Sequence, residues 1–350
     1  MLHDRISEIS PSLEAWWNHE PQPVPYLIAQ TSDSNVPAVS ENDNLDVYWN
    51  DAELAVRRKM ALIDATTYHG LAVPYHYIDY GSSAMVCALG ANPLLLDKNT
   101  IWAKPHLKSP EQICDLVIDR DNPALKTITA TSRNSINLAY NHHMVSHFAL
   151  NGIADIMAGL YGTEDFLMDL VTRQKEIKKA MNHLMSIWLE IFMEFNELLS
   201  QCGNPGSIGW AGVWAPGTTF PIQEDVSYMI SPEMFRQFCL PHIVTMVEAM
   251  EYPFYHLDGA NAIPHLDALL DIDSLKAIQW QPGAGNENLS NWYPLIQRIL
   301  ASGKSVQLYG NADEIDDLVK NVGCRGILVI LENDTYEDIS RLMDKYPQIH

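Results

Sequence analysis

From Gly206 onward, the sequence alternates short apolar runs with segments of helical periodicity. The apolar runs predict strands at 253–258, 276–281, 304–309 and 326–331. The segments that follow them predict helices at 264–270, 291–302, 313–321 and 335–345. Successive strands start roughly 20 to 30 residues apart, the spacing of βα units whose right-handed crossovers join parallel strands. A chain with this pattern folds into a closed (β/α)8 barrel or into an open doubly wound sheet.

Two features of the sequence favour the barrel. No GxGxxG motif follows a predicted strand, which weakens the dinucleotide-binding form of the open sheet. The length of 350 residues suits a barrel with N-terminal additions. We therefore predict an α/β protein with a (β/α)8 TIM-type barrel and an irregular N-terminal extension. In this prediction residues 1–50 are an N-terminal arm packed on the barrel, and residues 51–350 are a single barrel domain.

The first half of the chain is less regular. Its first fifty residues contain several prolines and a polar run at 40–44, which predict loops and an extended arm. Beyond them the patterns predict helices at 51–68, 163–201 and 231–250, and strands at 72–79, 126–131 and 207–214.

Composition excludes several classes of function. The chain has 44 acidic and 22 basic residues, a formal net charge of −22, which argues against binding to nucleic acid. No apolar run approaches the ~18 residues of a membrane span. The five scattered cysteines form no CxxC pair, and the first residues lack a signal-peptide pattern. We therefore expect a cytoplasmic protein that acts on a small molecule.

The segment Phe254 to Gly259 carries the clearest chemical signal. His256 and Asp258 are two residues apart in a predicted strand, so both side chains point to the same face at its carboxyl end. Catalytic residues of α/β enzymes lie at this end of the strands. The alternative is structural, with His256 as a hydrogen-bonded core residue and Asp258 as a helix cap.

Together with Glu332, after the last predicted strand, these residues supply one nitrogen and two oxygen ligands. Such a set can hold Zn²⁺ with one coordination position open for substrate. Bound zinc acts as a Lewis acid that polarises a substrate oxygen. Without a metal, His256 and Asp258 remain a plausible acid–base pair.

Other polar and aromatic residues fall at predicted strand ends or in the loop 214–225. Stacking or hydrogen bonding to a substrate is predicted for Trp210, Trp214, Gln223, Trp280 and Gln281. The candidate catalytic residues are Asp79, Asp225 and Tyr309. Packing is the alternative for Trp210 and Trp280, and helix capping is the alternative for Asp79, Asp225 and Glu332.

Several segments resemble the uroporphyrinogen decarboxylase superfamily. They are Gln223 to Asp225, the block ISPEMFRQFCLP at 230–241, His-Leu-Asp-Gly at 256–259, Gly310-Asn311, Tyr77 to Asp79 and Gly159 to Gly162. The resemblance spans most of residues 60–345. It implies a distorted (β/α)8 barrel, a frequent homodimer, and one of two chemistries. One is decarboxylation of uroporphyrinogen, with Asp79 at the matching catalytic aspartate, and the other is zinc-dependent methyl transfer involving a corrinoid protein.

The chain departs from both branches of this superfamily. Residues 6–56 contain no arginine or lysine, although the decarboxylases carry an arginine-rich segment there that receives the carboxylates of the porphyrinogen. The methyltransferase branch often binds zinc through His-x-Cys and a later cysteine, where this chain has His256, Asp258 and Glu332. Oxygen ligands suit a metal that polarises a methylated oxygen. We therefore expect a methyltransferase that passes a methyl group from a small methylated substrate to cobalamin on a partner protein. The alternative is a metal-free decarboxylase, lyase or metabolite-binding protein.

Overall fold

Strands and helices alternate along the computed structural model, which describes residues 1–32, 44–286 and 288–348. The strands are β1 (Tyr26–Ser32), β2 (Thr66–Gly70), β3 (Tyr75–Tyr77), β4 (Asn92–Leu94), β5 (Trp102–Lys104), β6 (Met144–Ser146), β7 (Ser207–Ile208), β8 (Trp214–Ala215), β9 (Pro221–Ile222), β10 (Phe254–Asp258), β11 (Ala277–Gln281), β12 (Ser305–Gly310) and β13 (Ile327–Leu331). The α-helices are α1 (Leu2–Trp17), α2 (Leu45–Asn50), α3 (Ala52–Asp64), α4 (Ala84–Ala88), α5 (Pro110–Cys114), α6 (Pro123–Ala139), α7 (Ile153–Tyr161), α8 (Thr163–Thr172), α9 (Gln174–Ser200), α10 (Pro232–Met234), α11 (Leu240–Glu248), α12 (Leu266–Leu270), α13 (Tyr293–Ala301), α14 (Ile315–Asn321) and α15 (Tyr336–Lys345).

A mainly parallel sheet of seven strands organises the fold, in the order β2-β1-β13-β12-β11-β10-β9. Among the described residues of this sheet only β2 runs antiparallel to its neighbour, and β3 and β6 form a separate parallel pair. Asp258 is opposite Gln281, and Gly310 is opposite Leu331, so the carboxyl ends of β10 to β13 meet at one edge. The predicted α/β class is confirmed, and each strand predicted between 253 and 331 is present within one residue at either end.

Helix α1 covers the opposite, amino-terminal ends of these strands. Its apolar face packs with the first residues of β1, β10 and β11, namely Tyr26, Phe254 and Ala277, in one buried cluster. Two indole groups of α1 form hydrogen bonds that hold the helix in place. Trp16 Nε1 donates to the Gly326 carbonyl (3.0 Å), and Trp17 Nε1 donates to the Trp214 carbonyl (2.9 Å).

The irregular structure predicted for the first fifty residues is therefore wrong for most of their described part. They form α1, and also β1, which pairs with β13 inside the sheet. The polar run predicted as a loop at 40–44 lies outside the described residues except for Asn44. The division into an arm of residues 1–50 and a barrel domain of residues 51–350 stays a prediction.

Two further predictions in the first part of the chain are corrected. The predicted strand 126–131 lies within helix α6, which begins with the cap Asn122 and Pro123 and buries Ile128 and Ser132 on one face. The predicted strand 207–214 is a short antiparallel hairpin of β7 and β8 instead. Within the described residues, none of the helices is both long and apolar enough to cross a membrane.

Candidate active site

A cavity of about 830 Å³ opens at the edge where the carboxyl ends of β10 to β13 meet. The residues that line it include the last residue of β10, β11 and β12 and the residue that follows β13, because parallel strands present their ends together. The lining residues are Trp210, His256, Asp258, Gln281, Pro282, Gly283, Ala284, Asn288, Tyr309, Gly310, Asn311, Glu314, Glu332 and Asn333.

Three potential metal ligands converge on one side of the cavity. One ligand atom from each of Asp225, His256 and Asp258 lies within 4.8 Å of the other two. His256 and Asp258 face the same way on β10, and Asp225 is brought beside them by the segment that follows β9. Glu332 lines the same cavity, but its carboxylate lies outside this group. The described residues therefore place Asp225, rather than Glu332, beside the two residues predicted to bind metal.

A row of hydrogen-bonded side chains crosses the sheet next to His256. The ring nitrogen Nδ1 of His256 is hydrogen-bonded to Gln279 Oε1, on the neighbouring strand. The amide nitrogen of Gln279 donates to Gln307 Oε1 and, over 3.2 Å, to the Tyr309 hydroxyl. Because Gln279 engages Nδ1, the second ring nitrogen of His256, Nε2, is available to a ligand.

Two carboxylates, the buried Glu224 and the half-buried Asp155, fix the segment that carries Asp225. Glu224 accepts hydrogen bonds from the backbone N–H groups of Ile153 and Ala154, both 2.9 Å, at the start of α7. In return Asp155, in the first turn of α7, accepts from the N–H groups of Asp225 (3.0 Å) and Val226 (2.8 Å). Each carboxylate thus satisfies N–H groups that a helix start leaves without partners.

Burial and repulsion raise the pKa values of this carboxylate group. Burial raises the pKa of Glu224 well above its ordinary value, and the nearby charge of Asp155 adds to the effect. Burial also raises the pKa of Asp225, with a further increase from Asp258 and an opposing decrease from His256. A cation bound between Asp225 and Asp258 would relieve their repulsion.

The structure brings four other predicted residues to the cavity. Trp210, Gln281, Tyr309 and Glu332 all line it. The Trp210 ring meets the His256 ring edge to face, with the centroids 5.1 Å apart. Desolvation raises the pKa of Tyr309 to about 12, so its hydroxyl stays protonated at neutral pH.

Two predicted substrate contacts lie elsewhere. Trp214 is buried in the cluster under α1, and its Nε1 donates to the Pro205 carbonyl (2.9 Å). Trp280 is fully buried on the other face of β11 from Gln279 and Gln281, where it packs edge to face against Trp292. Both are packing residues in this structure, since neither is among the residues that line the cavity.

Two remaining predicted residues, Gln223 and Asp79, are not among the residues that line the cavity. Gln223 donates from Nε2 to Asp225 Oδ2 over 3.0 Å, so it orients a candidate ligand. Asp79 accepts from the Gly81 N–H over 2.8 Å, which is an Asx-turn contact, and is not among the lining residues. Desolvation raises the pKa of Asp79, and the positive charge of Lys59 partly offsets this rise.

Sequence reasoning missed the residues that hold the site in place. Gln279 and Gln307 alternate with apolar residues inside strands, and a polar residue within an apolar strand was the available signal. Asp155 follows Gly152 by three residues, the spacing of a residue that caps its own helix start. Nothing in the sequence indicated that Asp155 also caps a segment seventy residues away.

Of the three comparisons with known proteins, only the one with solved structures gives a match. No protein-family model matches the chain, and no curated protein matches it. Among solved structures, it is similar to a methyltransferase from Methanosarcina mazei, with a TM-score of 0.62 and 14% sequence identity. The match covers 96% of this chain and 97% of that one. At this identity the likeness concerns the fold, and it extends over nearly the whole of both chains.

Proposed function

We propose that this protein is a zinc-dependent methyltransferase that moves a methyl group from a small methylated substrate to a corrinoid carried by a partner protein. The observation that carries the proposal is the convergence of Asp225, His256 and Asp258 beside a cavity of about 830 Å³. The solved structure with a similar fold is itself named a methyltransferase, which supports the same class of reaction.

We also propose that the fold is a closed (β/α)8 barrel. We assign its eight strands to β1, β3, β6 and β9 to β13. Six of them, β9 to β13 and then β1, are joined by continuous parallel pairing, and β3 pairs with β6. Within the described residues the two remaining junctions, β1 with β3 and β6 with β9, carry no ladder pairing. Helix α1 closes the end opposite the cavity.

The chemistry of the donor set fits zinc. Two carboxylates and one imidazole are ordinary zinc ligands, and three protein ligands leave a position for substrate. The hydrogen bond that Nδ1 of His256 donates to Gln279 Oε1 fixes the His256 ring, an arrangement found around metal-bound histidines. A bound zinc would supply Lewis-acid polarisation of the oxygen that carries the methyl group.

The chain's own residues orient the substrate and the leaving oxygen. Trp210 and Tyr309 face the cavity, and the protonated Tyr309 hydroxyl can donate a hydrogen bond to the departing oxygen. The methyl carbon–oxygen bond breaks with its electron pair remaining on oxygen, and the product alcohol takes a proton from water. The reduced corrinoid supplies the electron pair of the new carbon–cobalt bond. The five thiols, all free, fit the reducing cytoplasm in which we place this reaction.

The test is transfer of a methyl group to free cob(I)alamin, which stands in for the corrinoid of the partner. The purified, zinc-loaded protein is incubated with cob(I)alamin and each of a set of small methyl ethers, and absorbance reports methylcobalamin. We expect turnover with at least one ether, and a decrease of more than about 100-fold after chelation or in His256→Ala.

The control variant is Asp313→Asn, which removes an exposed charge outside the cavity and should retain activity. Restored activity on return of zinc to the chelated protein would exclude damage by the chelator. Methyl transfer that persists at full rate in His256→Ala and without metal would refute the metal-dependent mechanism. No transfer from any ether by the zinc-loaded protein would refute the proposed reaction.

A further inference from the structure

We infer that the substrate is a cation: a small methylated oxygen compound with an ammonium group that binds between Glu332 and the aromatic rings of Tyr309 and Trp210. The inference rests on the proposed methyl transfer, and it specifies the class of substrate. It is carried by the charges and the aromatic side chains that line the cavity.

The charge of the cavity has one sign. Among the described residues, its lining contains Asp258, Glu314 and Glu332 but neither lysine nor arginine, and His256 is engaged by Gln279. Bound Zn²⁺ would balance the two aspartates of the metal group and leave the two glutamates. An anionic substrate would therefore enter a cavity with no positive side chain to receive it.

The two glutamates differ in how they are used. Glu314 accepts from the backbone N–H groups of Leu289 (2.8 Å) and Asn311 (3.1 Å), so its oxygens are occupied by structural contacts. Within residues 1–32, 44–286 and 288–348, the carboxylate of Glu332 has no hydrogen-bond or ion-pair partner. Glu332 is exposed and lines the cavity, so a ligand cation in the cavity can reach its carboxylate and supply the missing partner.

The aromatic side chains of the cavity are a second, independent reason to expect a cationic substrate. Trp210 and Tyr309 both line the cavity, and ring faces attract ammonium groups through their negative quadrupoles. Tyr309 lies close enough to Glu332 for the carboxylate charge to raise the pKa of the phenol. A carboxylate beside an aromatic ring is a suitable pair of contacts for an ammonium group.

The partly buried basic side chain of Lys59 has other partners. The ammonium group of Lys59 lies 5.4 Å from the centroid of the Tyr75 ring and interacts with the charge of Asp79. The overall charge of −22 also raises the local concentration of cations around the protein.

Three probes of nearly equal size test the inference: 2-methoxyethylammonium, the neutral 2-methoxyethanol and the anionic methoxyacetate. Binding to metal-free protein is measured by calorimetry at low and high salt, with no corrinoid present. We expect the cation to bind at least about 10-fold more tightly than the neutral ether, with binding weakened by salt.

Two variants locate the binding site. Glu332→Gln should reduce affinity for 2-methoxyethylammonium about 5- to 10-fold and leave 2-methoxyethanol unaffected, because only the cation uses the charge. Asp313→Asn removes an equal charge at an exposed position and should change affinity less than about 2-fold. Equal binding of all three probes, tighter binding of methoxyacetate, or no effect of Glu332→Gln would overturn the inference.

The proposed methyl transfer and the proposed cationic substrate can be refuted independently. If the cation binds through Glu332 and yet cob(I)alamin is never methylated, the cation site stands and the proposed reaction fails. If neutral ethers are demethylated at full rate while 2-methoxyethylammonium neither binds nor reacts, the reaction stands and the cationic substrate class fails.

Discussion

The side chains of His256 and Gln279 are hydrogen-bonded across neighbouring parallel strands, between Nδ1 and Oε1. The contact fixes the orientation of the His256 ring and leaves Nε2 as the nitrogen that can bind a metal together with Asp225 and Asp258. Gln279 itself is held by Gln307 and Tyr309, so the orientation of the ring depends on a network that spans three strands.

We predict that Gln279→Leu weakens zinc binding about 10- to 100-fold, because the ring of His256 loses the partner that orients it. Gln279→Glu keeps an oxygen acceptor at the same place and should retain affinity within a few-fold. Competition with a chromophoric chelator measures both variants. Equal zinc affinity in Gln279→Leu and the wild type would show that Gln279 does not position His256.

Asp155 should act on the site through the backbone of Asp225. Asp155→Asn replaces one acceptor oxygen with an NH₂ group that faces the N–H groups of Asp225 and Val226. We expect a loss of about 1–3 kcal/mol in the free energy of unfolding, because a buried N–H loses its acceptor. Asp165→Asn, an exposed change in the first turn of α8, is the control in urea denaturation. Equal stability of the two variants would contradict the capping role.

A matched pair of tryptophans separates hydrogen bonding from packing. Trp188 and Trp280 are both fully buried, but Trp188 Nε1 donates to the Asn151 carbonyl (3.1 Å), whereas Trp280 Nε1 has no partner among the described residues. Both changes to Phe leave cavities of similar size. We expect Trp188→Phe to cost about 1 kcal/mol more in unfolding free energy than Trp280→Phe. The reverse order in thermal or urea unfolding would contradict this assignment.

Trp280→Phe also tests the placement of this residue outside the cavity. The variant should retain the zinc affinity and the KM of the wild type for a methyl-ether substrate. A KM raised several-fold in a folded Trp280→Phe protein would show instead that Trp280 contacts the substrate, as the sequence predicted.

Stability should depend on pH through His147, which is buried against Phe192 and hydrogen-bonded to Asn196. Burial lowers its pKa to about 4, below the ordinary value of 6.5. The unfolded chain therefore binds a proton that the folded chain does not, and the stabilisation is lost as pH falls from 6.5 towards 4. The stability difference between the wild type and His147→Asn should fall by ~1.4 kcal/mol per pH unit in that window. Parallel pH profiles of the two proteins would contradict the burial of a neutral His147.

The second half of the fold could be predicted from sequence because its signals are local. Each strand from β10 to β13 is a short apolar run followed by a helical segment, and Asn311 and Thr335 cap the segments that follow β12 and β13. The first half misled the same reasoning. Alternation of threonine and isoleucine at 127–131 suggested a strand, although Asn122 and Pro123 marked the start of a helix.

The candidate site was predicted only in part, for a geometric reason. His256 and Asp258 lie on one strand, so their common face follows from the period of two. The third member of the metal group, Asp225, lies in the segment that follows β9. The position of this segment depends on its hydrogen bond to Asp155, seventy residues earlier in the chain. The same period places Trp280 on the face opposite Gln281, so its assignment to the cavity conflicted with the strand prediction itself.

Zinc stoichiometry in three proteins tests the central claim most directly: wild type, Asp225→Asn and Glu332→Gln, each loaded with zinc, dialysed and analysed for metal. The account predicts one zinc per chain in the wild type and in Glu332→Gln, and a loss of most of the metal in Asp225→Asn. Retention of zinc by Asp225→Asn together with its loss from Glu332→Gln would assign the third ligand to Glu332. Absence of zinc from the folded wild type would contradict the metal centre altogether.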